Sequence, residues 1–190
     1  LVSRFAGLLR VRLIAREFGQ NSIAVDAFNA AFRIPNLLQN LFGEGALSGS
    51  FIPVHSALRA RGEHEAAAQV ARTFFAILTG GIAVLVLLGV LAAPMLVELV
   101  APGFTGEKRE LAVRLVRILF PGAGILVASA WCLGVLNSHR KFFLSYAAPV
   151  IWSAAMIAAL LWFGEAASLP RLVEILAWAS VVGSALQFGI

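Results

Sequence analysis

Four arginines, at positions 4, 10, 12 and 16, stand among leucine, isoleucine and valine in the opening nineteen residues, LVSRFAGLLRVRLIAREFG. A guanidinium is a planar fork of donors that stays charged at any accessible pH and grips phosphate oxygens two at a time. On a helix of 3.6 residues per turn, Arg4 and Arg10 lie about 120° apart with Gly7 between them, a shallow notch flanked by two cations. At the centre of a lipid-facing helix each arginine would cost about 2.5–3.5 kcal/mol, so the four cannot all face lipid. Arg4 and Arg10 therefore suggest a water-filled, anion-binding cavity, with an N-terminal cytoplasmic anchor as the alternative. Arg12 and Arg16, one turn apart on the opposite side, suit snorkelling or a helix end.

A second polar group is set in an apolar frame. The stretch AFRIPNLLQNLFGEGALSGSFIPV (31–54) gathers Arg33, Pro35, Asn36, Gln39, Asn40, Glu44 and Pro53 among Phe, Leu and Ile. Arg33 and Glu44 are eleven residues apart, three turns of one helical face, and fit a single polar stripe. Gly43 and Gly45 flank Glu44 and allow a bend or a close helix approach where a buried polar group needs partners. Asp26, just upstream, reads as a helix cap or an ion-pair partner. No arrangement for catalysis emerges: His55, His64 and His139 lack metal-ligand spacing and read as solvated surface residues, and no GxxxxGK[ST] loop occurs. Cys132 is the only cysteine, which excludes an internal disulfide, and it reads as a packing residue.

The elements that must hold these groups follow from composition. Charged residues make up 13% of the chain, against about 25% in soluble domains, and mean hydropathy is +0.88. The chain is a membrane protein. Its net charge of +5 fits Lys and Arg beside anionic lipid rather than nucleic acid, because no basic surface with interleaved aromatics occurs. Residues 73–97, 118–138 and 142–164 are free of Lys, Arg, Asp and Glu and are long enough to span about 30 Å of hydrocarbon. A fourth span starts at Leu172, and residues 1–18 and about 25–58 are weaker candidates. Residues 55–72 read as a short amphipathic surface helix. Residues 101–117 read as a connecting segment with a Pro-Gly turn and a Glu110–Arg114 pair one turn apart, and 137–143 as a tight turn. The segments 55–72 and 137–143 share one side of the membrane and are placed in the cytoplasm. Arginines break up residues 1–18, so they do not form a signal peptide. The first residue is not Met and the last lies in an apolar run, as expected of a fragment.

The sequence resembles a known family. SRFAGLLRVRLIAREFG and DAFNAAFRIPNLLQNLFGEGALSGSFIPV are similar to the opening of the MurJ/MviN lipid II flippases, within the multidrug/oligosaccharidyl-lipid/polysaccharide exporter superfamily. VAPGF (100–104), LVRILFP (115–121), GVLNSHRKF (134–142), AAP (147–149) and LAWASVVGSALQ (176–187) follow in family order. The resemblance implies an all-α polytopic bundle in which residues 1–190 form the N-terminal lobe, about six transmembrane helices, of a two-lobe exporter. A C-terminal lobe would be its partner. It implies a multi-pass protein of the bacterial cytoplasmic membrane that moves the polyprenyl-pyrophosphate-linked peptidoglycan precursor between leaflets by alternating access, and so serves cell-wall biogenesis and cell shape. Such a protein is a transporter rather than an enzyme, and no cofactor is implied.

By the same resemblance Arg4, Arg10, Asp26 and Glu44 match family cavity residues, and Gln39 takes the place of a family arginine, able to hydrogen-bond a phosphate without adding charge. Val11 and Arg12 stand where the family usually has an acidic residue after the second arginine. Two other readings stay open: an exporter of a different lipid-linked oligosaccharide or a drug, and a non-transporting membrane scaffold. Cationic drugs would call for acidic cavity residues.

Overall fold

The computed structural model describes residues 2–18, 23–40, 51–138, 142–164 and 166–189. Among them the chain forms eight helices and no strand: α1 (Val2–Phe18), α2 (Ile23–Gln39), α3 (Ile52–Ala60), α4 (His64–Leu91), α5 (Ala93–Val100), α6 (Gly106–Ser138), α7 (Phe142–Phe163) and α8 (Leu169–Phe188). Six of these have 17 residues or more, the number of transmembrane helices expected, and α3 and α5 are short. Helices α4, α6 and α8 are long and apolar enough to cross a membrane, and residues 148–163 of α7 form a shorter apolar stretch.

Three boundaries differ from the sequence reading, each for a local reason. The surface helix expected over 55–72 is broken at Gly62, whose φ of +78° is a left-handed conformation that glycine adopts without penalty. Its amide donates to the Arg59 carbonyl, which ends α3, and His64 then opens α4. The span expected over 73–97 stops at Leu91. Pro94 has no N–H to continue the ladder, and α5 starts afresh with that proline in its first turn. The third correction is the largest: 106–117 is not a connecting segment but the first three turns of α6. Leu111, Ala112, Leu115 and Val116 are fully buried there, an i, i+1, i+4, i+5 stripe that holds the polar-looking stretch in the core. Arg114 accordingly pairs across to Glu174 of α8 at 3.3 Å instead of with Glu110.

Helix α6 is the central post. It packs on α2, α4 and α8, while α7 lies between α8 and α1. Small residues let these helices approach. A Cβ on Gly122 of α6 would meet the Val181 backbone at 3.3 Å, and one on Gly183 of α8 would meet that of Trp152 at 3.2 Å. Buried serines in the same seams keep their hydroxyls paired. Ser184 Oγ donates to the Ser180 carbonyl at 2.7 Å, and Ser129 Oγ accepts from Gln187 Nε2 at 3.2 Å. His55, expected on the surface, is instead buried, its ring stacked on Phe51 at 5.1 Å. His64 is exposed as expected, and His139 lies outside the described residues.

Candidate functional site

Helix α2 carries the polar side of the site. Ala24, Ala27, Phe28, Ala31 and Ile34 are buried, while Asp26, Asn29, Arg33 and Asn36 are exposed on the remaining face. Their spacing of three, four and three residues makes one stripe along the helix. In a bundle whose neighbours are apolar, such a stripe is stable only beside water or a polar ligand.

Helix α1 brings Arg10 to that stripe. Arg10 is at the midpoint of α1, and α1 lies along α7. Its guanidinium carbon sits 4.4 Å from the centroid of the Trp152 ring, close enough for a cation–π contact. Nη1 points to the Met156 sulfur at 3.8 Å, and the enclosed Nε has no protein acceptor among the described residues. Trp152 is fixed in turn: its Nε1–H donates to both the carbonyl and the hydroxyl of Ser180 on α8, each at 3.2 Å. Phe32 leans on the same indole with ring centroids 6.3 Å apart, and Phe28 on Phe32 at 4.9 Å. The arginine therefore rests on an aromatic floor with donors to spare.

Together these groups line a cavity of about 410 Å³ between α1, α2 and α7. Arg10, Arg33, Asn29 and Asn36 form its polar lining; Val11, Ile14, Phe28, Phe32 and Met156 form the apolar one. Among the described residues no carboxylate lines it and Arg33 has no acidic partner. Two guanidinium forks and two amides suit an oxyanion with several oxygens. The apolar wall lowers the local dielectric and strengthens that attraction.

The other expected site residues are distributed as follows. Asp26 does not line the cavity: it stands in the first turn of α2 and takes a 2.6 Å ion pair from Lys108 of α6, which also lies over the Phe104 ring. Of the two roles open to it, ion-pair partner is the one observed. Arg12 and Arg16 are exposed, away from the cavity. Glu44 lies outside the described residues, as do the side chains of Arg4 and Gln39, so the Arg4–Arg10 notch and the Arg33–Glu44 stripe fall outside them too. Asn29 is missing from the residues the sequence singles out, and Asn36 is named there only as part of the polar stretch. Their signal is the helical spacing Asp26, Asn29, Arg33, Asn36 along α2.

The Asp26–Lys108 pair is partly exposed, and such pairs contribute about 0–1 kcal/mol. Asp26→Asn and Lys108→Met each lower stability by about that amount, and the double variant loses no more than either single one. Chemical denaturation in detergent checks this, and additive losses would mean that the two groups are uncoupled.

The packed helices and the cationic cavity define a polytopic α-helical membrane protein of the exporter type. The sequence matches the family described as Lipid II flippase MurJ over residues 14–190, and the chain belongs to that family. A lipid II flippase MurJ from Burkholderia cenocepacia is 39% identical over 190 residues, covering 99% of this chain and 36% of its own length. A probable lipid II flippase MurJ from Rhizobium tropici is 34% identical over 196 residues, again 36% of its length. A solved structure of a lipid II flippase MurJ in an inward closed conformation superposes with a TM-score of 0.79 at 26% identity, covering 98% of this chain and 38% of that one. The chain thus spans little more than a third of the relatives it matches.

Proposed function

We propose that this chain is the N-terminal lobe, residues 1–190, of a flippase that carries a polyprenyl-pyrophosphate-linked peptidoglycan precursor across the bacterial cytoplasmic membrane. The observation that carries the reading is the cavity that Arg10 and Arg33 both line, with no acid in its lining among the described residues. A pyrophosphate brings two negative groups to one place, and two guanidinium forks on adjacent helices match that charge and its oxygens. The apolar lining beside them suits the start of the lipid tail. Arg4, Gln39 and Glu44 are assigned to the substrate route by their match to family residues, and Asp26 fixes the start of α2 against α6.

Transport in this reading is binding and reorientation, with no bond made or broken in the substrate. A second lobe, supplied by the part of the protein that corresponds to the rest of the relatives' length, closes the other side of the cavity. Rocking of the two lobes about the bound headgroup exposes it to each leaflet in turn, and the arginines favour whichever state surrounds the phosphates more completely. The described lining, two arginines and two asparagines without a carboxylate, fits an anion better than a cationic drug.

The intact gene, expressed in a bacterium depleted of its own lipid II flippase, tests the reading. Growth and normal cell shape are expected, with labelled precursor reaching the outer leaflet. Lysis at equal membrane expression would overturn lipid II as the substrate.

A further inference from the structure

A second groove, lined mostly by arginines, shares no lining residue with the cavity. It has a volume of about 360 Å³ and runs between α5 and α6, lined by Pro94, Arg109, Glu110, Arg114 and Arg117 over buried Val113. Two of its arginines are held by carboxylates: Arg109 by Glu98 of α5 at 3.7 Å, and Arg114 by Glu174 of α8 at 3.3 Å. Arg117 is exposed and has no acidic partner among the described residues.

Depth decides what such a groove meets. Arg117 is the last charge before the uncharged run 118–138, twenty-one residues that make about 30 Å of helix, the thickness of the hydrocarbon core. At 1.5 Å per residue, Arg117 and Arg114 sit about 2 and 6 Å outside that core, within the headgroup band. Beside them α5 exposes Met95 and Leu99, at 70% and 76%, as an apolar surface for acyl chains.

We infer that this groove binds the phosphodiester headgroup of a membrane-embedded anionic phospholipid, with Arg117 as the direct contact and Arg114 as a second donor held in place by Glu174. The ion pairs at Arg109 and Arg114 preset the two flanking side chains, and the unpaired guanidinium supplies the attraction. The inference is independent of the cavity and of what the cavity carries.

The test uses the purified intact gene product in nanodiscs and native mass spectrometry of the lipids it retains, comparing phosphatidylglycerol with phosphatidylcholine. Wild type is expected to retain phosphatidylglycerol preferentially. Arg117→Gln is expected to lower that preference about fivefold, the factor that about 1 kcal/mol per basic residue near an anionic surface gives. Arg117 is a surface residue, so the variant folds. Arg16→Gln, which removes another exposed arginine, on α1, leaves the preference unchanged, and millimolar inorganic phosphate does not displace the lipid. An unchanged preference in Arg117→Gln, or an equal loss in Arg16→Gln, would show general charge attraction and overturn the site. Displacement by inorganic phosphate would show that the groove takes a free anion instead of a lipid.

Discussion

Arg10→Ala abolishes rescue of a flippase-depleted cell while the protein accumulates in the membrane at wild-type level or above. The two effects have opposite signs for one reason. An arginine at the midpoint of a membrane helix opposes insertion by about 2.5–3.5 kcal/mol, so alanine relieves a folding cost. The same side chain offers the cavity a charged fork whose Nε has no protein acceptor, and charge-assisted hydrogen bonds contribute about 1.5–3 kcal/mol each. Loss of even one or two weakens pyrophosphate binding roughly 100-fold. Arg10→Lys separates charge from geometry: an ammonium keeps the charge but cannot form the planar fork or stack as a guanidinium does over Trp152, so binding falls by about tenfold. The checks are growth rescue, membrane abundance and the affinity of the intact protein for a polyprenyl pyrophosphate. Rescue by Arg10→Ala would reduce Arg10 to a membrane anchor, and an unstable variant would make its role structural.

Much of this architecture was legible in the sequence, and the parts that were not share a physical cause. The uncharged runs marked α4, the second half of α6, and α7, because a charge-free stretch of that length has few places to go except a bilayer. The cost of arginine in lipid singled out α1. What escaped was set by contacts between elements. The stripe of Leu111, Ala112, Leu115 and Val116 is visible in the sequence, but the arginines between them made 106–117 look like surface. His55 looked solvated because nothing local announces that Phe51 will stack on it. Arg33 reads in the sequence as one polar stripe with Glu44 on its own segment. The structure brings it to the same cavity as Arg10 of α1 and Met156 of α7, and no local pattern encodes which helices share a cavity.

The role of Trp152 is not legible in the sequence for the same reason, and its replacement gives the second large effect. The indole holds Arg10 from below by a contact of up to about 2 kcal/mol when desolvated. Its N–H bonds to Ser180 keep it from rotating away, and these depend on how closely α8 can pass where Gly183 faces the Trp152 backbone. Leucine fills part of the volume but offers no π face, so the guanidinium loses its platform and must be ordered by the ligand at the ligand's expense. Trp152→Leu is therefore expected to weaken pyrophosphate binding by about tenfold, while Trp152→Phe, which keeps a ring but not the N–H, loses about threefold or less. A purely structural role would lower stability and affinity whatever stands at position 10. A positioning role predicts coupling: in an Arg10→Ala background, Trp152→Leu costs no further affinity, because there is no longer a guanidinium to hold. Binding measured across the four proteins of that cycle decides between the two, and additive losses would show that Trp152 supports the α7–α8 seam rather than the arginine.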